Sequence, residues 1–105
     1  MSLKPFEIEV IKHLVPAQYL ETILSTDNKI KVKSTGHGYF LDFKHPKLSE
    51  SRIVYSEPLV AGKFEDLELG FVIFVENSEF TLECHGYDKP IPANIRDCEV
   101  KINLA

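Results

Sequence analysis

The sequence predicts an α+β fold, with two N-terminal helices packed on a mostly antiparallel β-sheet, in a single domain spanning residues 1–105. Three observations carry that expectation. Apolar residues recur at helical spacing up to about residue 25, the period changes to two from Ile30 onward, and no helical segment separates the later strands as a parallel doubly wound sheet would require.

The first helix is expected over about 5–14. Phe6, Ile8 and Val10 alternate as in a strand, but Phe6, Val10, Ile11 and Leu14 share a helical face and Pro5 fits a first helical turn, which favours the helix. Pro16 disfavours helical geometry at Val15 and opens a second helix over about 16–25, with Ala17, Leu20, Ile23 and Leu24 as its apolar stripe. The polar residues 25–29 end it.

Strands are expected at about 29–34, 38–45, 52–56, 59–64, 70–76, 79–85 and 98–103. In the first, Ile30, Val32 and Ser34 alternate with Lys29, Lys31 and Lys33, which reads as one solvated strand face. Gly36 and Gly38 allow a tight turn or bulge around His37, and His45-Pro46 stops the strand that follows. The clearest local signal is GFVIFVENSEFTLECHGY, in which two apolar-rich runs flank Asn77-Ser78 and predict a β-hairpin. Gly86, Pro90 and Pro92 make the next segment irregular, and Cys98, Val100 and Ile102 alternate as a last strand.

The formal charge of −4 is unevenly distributed. Residues 1–52 carry eight Lys/Arg against six Asp/Glu, whereas residues 53–105 carry four against ten. Phosphate binding needs clustered Lys and Arg, so nucleic acid is not an expected partner. The acidic stretch Glu65, Asp66, Glu68, followed by Glu76 and Glu79, is instead a candidate surface for a basic protein partner. No apolar run reaches the ~20 residues that span a bilayer, and the N-terminus lacks the signal-peptide pattern, so no membrane partner and a cytoplasmic location are expected. Cys84 and Cys98 show no zinc or redox spacing and read as two reduced thiols.

Asp42 raises the sharpest question. It shares a strand face with Phe40 and Lys44 while Tyr39, Leu41 and Phe43 point the other way, so it either pairs structurally or faces a ligand; structural pairing is the expectation. Glu83 lies on one face with Thr81 and His85. Together Asp42, Glu83 and His85 are the candidate catalytic residues of an acid/base cleft, although no nucleophile motif accompanies them. Candidate binding residues are His37, Tyr39, Glu65, Asp66, Glu68 and Tyr87. The four histidines lack metal-ligand spacing, and Gly36-His37-Gly38 precedes a strand rather than the helix a phosphate cradle needs, so no metal or cofactor is expected.

Residues 35–43, together with Gly70-Phe71-Val72-Ile73-Phe74 and Leu82-Glu83-Cys84-His85-Gly86-Tyr87, resemble a set of small uncharacterised bacterial proteins with the pattern T-G-x-G-F-[FY]-T-D-F, G-F-x-x-F and L-E-G-x-x-Y. The resemblance runs from about Phe6 to Asp97. Leu41, Cys84 and Asn77-Ser78 depart from the pattern, while Asp42 and Glu83 match it. It implies a compact single-domain fold and transfers no activity. The expected function is therefore a non-catalytic binding or interaction module. The alternatives are a small hydrolase or isomerase using the Asp/Glu/His cleft, or an assembly protein that forms a homodimer through a sheet edge.

Overall fold

The computed structural model describes residues 2–25 and 29–104. Helix α1 (Pro5–Leu14) begins where Pro5 presets the helical φ, and Glu7 at its third position accepts a 2.7 Å hydrogen bond from the Lys4 backbone N–H, which would otherwise lack a partner. Its buried face comprises Phe6, Glu7, Val10, Ile11 and Leu14. Pro16 separates it from α2 (Ala17–Ile23), a shorter helix in which Ile23 is the buried anchor and Ala17 is exposed. Residues 26–28 of the expected helix-ending stretch lie outside the described residues. No helix among those described is long and apolar enough to cross a membrane.

Among the described residues seven strands follow: β1 (Lys31–Ser34), β2 (Gly38–Lys44), β3 (Ile53–Tyr55), β4 (Val60–Phe64), β5 (Leu67–Glu76), β6 (Glu79–Gly86) and β7 (Lys101–Leu104). They form one sheet in the order β1-β2-β6-β5-β4-β7, and every recorded pairing is antiparallel. Strand β5 is long enough to take two neighbours on one side: β4 pairs with Leu67–Gly70 and β3 with Ile73–Val75. The α+β architecture is thus present as the periodicities predicted.

Alternation decides which residues meet the helices. Tyr39, Leu41 and Phe43 of β2, Phe80, Leu82 and Cys84 of β6, and Leu69, Phe71, Ile73 and Val75 of β5 all point to the helical side and are at most 3% exposed. There Phe43 stacks on Phe80 with ring centroids 4.7 Å apart, and Phe6 of α1 meets Phe71 at 6.2 Å. The opposite face carries Phe40 and Asp42, Thr81, Glu83 and His85, and Gly70, Val72 and Phe74.

Two strands start away from where they are expected. Strand β5 starts at Leu67 rather than near 70, because Glu65 adopts φ 55° and closes a tight β4–β5 turn without the glycine or asparagine that usually announces one. The last strand is Lys101–Leu104 rather than 98–103: a 3-10 helix at Ile95–Asp97 ends by donating the Cys98 N–H to the Ile95 carbonyl, and the Val100 N–H bonds the Cys98 carbonyl. The β5–β6 hairpin forms as expected, with Asn77 and Ser78 at φ 54° and 60°, the two positive values of a type I′ turn.

Among the described residues, one carboxylate is fully buried. Glu7 is 0% exposed and receives the Tyr39 hydroxyl at 2.5 Å, the Arg96 Nε at 2.7 Å and the Arg96 Nη2 at 2.8 Å. The guanidinium bond is bidentate and ties the first helix to the 3-10 segment across 89 residues, while Arg96 Nη2 also donates to the Ser2 carbonyl. Removing one partner of such a pair leaves the other charged and desolvated. Glu7→Gln should therefore cost about 3–5 kcal/mol of unfolding free energy, and Tyr39→Phe about 1–3 kcal/mol, as read by urea denaturation.

Candidate functional site

The turn before β2 is shaped by glycine. At Gly38, φ is 147° and a Cβ would stand 1.8 Å from the Cys84 carbonyl oxygen, so only a bare α-carbon lets β2 approach β6 there. Thr35 donates its N–H to the Gly38 carbonyl, and the turn accepts from the Gly86 and Ile91 amides. His37 is exposed at its tip.

From this start the register lays out the uncovered face of the sheet. Gly38, His85, Gly70, Ala61 and Asn103 form one row across β2, β6, β5, β4 and β7. The next row is Lys33, Phe40, Glu83 and Val72, and the one after it is Lys31, Asp42, Thr81, Phe74 and Val54. Phe40, Val72 and Phe74 are half-buried and Val54 is 49% exposed. Among the described residues, no helix packs on this side.

The three catalytic candidates share the face but are not joined into a relay. Glu83 sits directly opposite Phe40, Asp42 opposite Thr81, and His85 two residues from Glu83. Neither acid has a side-chain hydrogen bond or ion pair with a described residue; the strand pleat turns Asp42 to the side away from the helices, half-buried and opposite Lys31 of β1. The His85 ring lies over Gly70, where an added Cβ would be 2.6 Å from Nε2 and 2.4 Å from the Tyr87 hydroxyl. Tyr87 packs edge-on against His85 at 5.2 Å and is 60% exposed, and His85 Nδ1 is enclosed without a hydrogen-bond partner among the described residues.

The binding candidates separate. Tyr39, on the helical side, is 2% exposed and its hydroxyl is engaged by Glu7, so it is a core residue rather than a ligand contact. Burial first, then the Glu7 charge, raises its pKa far above that of a free tyrosine. Glu65, Asp66 and Glu68 lie at the β4–β5 turn, whereas Glu76 and Glu79 lie at the far end of β5, about 27 Å away at ~3.4 Å per residue. The acids expected to form one surface thus form two. Asp66 is paired with Lys89 at 2.6 Å, which holds its carboxyl below the usual range; Glu76 is paired with Arg52 at 3.3 Å, and Glu68 faces Lys63 across the β4–β5 ladder.

No group of three or more His, Cys, Asp or Glu among the described residues is arranged to hold a metal ion. Cys84 and Cys98 are both free thiols. A shallow cleft of about 360 Å³ beside Asp42 is lined by Lys29, Lys31, Phe43, Lys44 and Glu79. The sequence reading missed Glu7. Its signal is positional: it occupies the same stripe as Phe6, Val10, Ile11 and Leu14, and an acid on an apolar stripe demands a buried cation.

The chain matches no protein-family model, no curated protein and no solved structure. The site is accordingly read from its own geometry.

Two measurements check this description. Because neither carboxylate bonds to a described residue, Asp42→Asn and Glu83→Gln should each leave the unfolding free energy within about 0.5 kcal/mol of wild type. Alkaline pH should act through the core instead. Burial, with the Glu7 and Glu83 charges, pushes the Cys84 thiol up to about 12, and Tyr39 is raised as well. Both groups are ionised earlier in the unfolded chain, so stability is full below about pH 9 and falls above it, by about 1.4 kcal/mol per pH unit from Cys84, with Tyr39 adding to the slope above about pH 10. Urea titrations between pH 8 and 11 should show that loss, and Cys84→Ala should flatten its first part.

Proposed function

We propose that the protein is a non-catalytic binding module that engages a basic protein partner through the uncovered face of its sheet. One observation carries the reading: Asp42 and Glu83, without a side-chain bond to any described residue, stand on a sheet face that also presents the apolar, at least partly exposed Phe40, Val72, Phe74 and Val54, with Lys31 and Lys33 along its β1 edge. Carboxylates in such a setting complement cationic side chains, while the aromatic and aliphatic groups supply apolar contact. Six strands at ~4.8 Å spacing and about seven residues at ~3.4 Å give this face roughly 700 Å², close to the ~800 Å² each partner contributes to a standard interface.

Two further features support this reading over its rivals. Acid/base catalysis asks for contacts that pass a proton, and neither Asp42 nor Glu83 bonds to His85. Edge-to-edge self-association through β1 is opposed by Lys31 and Lys33, since lysines on an edge strand hinder the addition of another strand. The two free thiols favour a reducing, cytoplasmic setting, and the resemblance to small bacterial proteins favours a bacterial one.

The test compares affinity captures from lysate of the source organism at low and high salt. Wild type and the helix-side control Glu21→Lys should retain the same stoichiometric basic protein, released as salt rises. Val72→Lys, in the middle of the face, should lose it by about tenfold or more. Equal capture by Val72→Lys and wild type would sink the proposal.

A further inference from the structure

The uncovered face already contains one arginine seat, filled from within the chain. The Arg52 guanidinium lies over the Phe74 ring, 5.1 Å from its centroid, while its Nη1 reaches the Glu76 carboxylate at 3.3 Å. The seat thus combines an aromatic face with a carboxylate beside it, an arrangement that suits a planar, weakly hydrated guanidinium better than a compact ammonium. The same two components recur on the face without a cation. Phe40 on β2 and Glu83 on β6 are directly opposed in the ladder, Glu83 has no ion pair with a described residue, and Asp42 stands diagonal to it.

The surrounding charges fix where a cation can sit. Lys31 and Lys33 face Asp42 and Phe40 from β1, and Lys29 and Lys44 line the cleft beside Asp42, so that edge of the face is already cationic. Glu83 lies one strand further in, with Thr81 and His85 along β6 and Val72 across on β5. An incoming cation therefore meets least repulsion over β6, between Phe40 and Val72.

We infer that the Phe40–Glu83 pair is a second arginine seat, and that the basic partner docks by laying an arginine side chain flat on Phe40 with its guanidinium on the Glu83 carboxylate. This deepens the proposed function and rests on its choice of the uncovered face. Asp42 draws the guanidinium by long-range attraction, and the β1 lysines repel a second cation on that side, which sets the partner's orientation. Arginine rather than lysine is the committed chemistry, because the aromatic face rewards a delocalised plane that can also fork onto a carboxylate.

The probe is N-acetyl-arginine methylamide, titrated into the full chain to about 100 mM, where a Kd near 10 mM saturates. The readouts are the ring resonances of Phe40 and the carboxylate carbon of Glu83. Saturable shifts at both are expected, at least about threefold weaker with N-acetyl-lysine methylamide. Glu83→Gln should abolish the arginine response, and Asp97→Asn, on the far side of the fold, should leave it unchanged. Absence of saturation at Phe40 and Glu83, or equal responses to arginine and lysine, would overturn the inference. The two proposals fail separately: a partner lost by Val72→Lys in a protein that ignores the arginine probe keeps the binding face and removes the arginine seat.

Discussion

The bond between Glu7 and Arg96 fixes which side of the sheet is inside. Glu7 has no access to water, so its charge depends on the guanidinium, the Tyr39 hydroxyl and the Lys4 amide that surround it. Because Tyr39 must reach that carboxylate, β2 is held with its odd-numbered side chains toward α1, and Phe40 and Asp42 are turned to the other side. A slip of one residue would carry Phe40 and Asp42 into the core and strand Glu7 without its hydroxyl. The orientation of the candidate surface is therefore a by-product of one buried ion pair on the opposite side.

Much of this was legible in the sequence because it obeys short periods. The two helices, the hairpin at Asn77-Ser78, and the split of β2 into a Tyr39/Leu41/Phe43 face and a Phe40/Asp42 face follow from spacing within ten residues. What spacing does not reveal is which distant residue meets which. Glu7 sits at an apolar-stripe position and looks like one more surface acid of a charged helix until Arg96 is placed beside it. The β4–β5 turn was hidden for another reason, since Glu65 takes a left-handed conformation that its side chain does not advertise.

The acids show the same limit from the other side. Read along the chain, Glu65, Asp66, Glu68, Glu76 and Glu79 look like one acidic surface; folded, a ten-residue strand holds the two groups apart. Pairing with Lys89 and Arg52 further reduces their attraction for a partner. Asp42 and Glu83, far apart in sequence, become neighbours through the β2–β6 ladder and form no ion pair with a described residue. Strand order, rather than local charge density, concentrates the available negative charge at the middle of the sheet.

The sheet order also has a consequence for how the chain is made. The β5–β6 hairpin closes within a few residues and can form in microseconds. The second neighbour of β2, however, is β6, and that of β4 is β7, both made much later: Asp42 pairs with Thr81 and Gly62 with Ile102. At typical elongation rates of about 5–20 residues per second, Arg96 leaves the ribosome on the order of 10 s after Glu7. For that interval the nascent α1 carries an acid on its apolar stripe with no cation to meet it, which disfavours premature burial of the helix until the segment that completes the core has been synthesised.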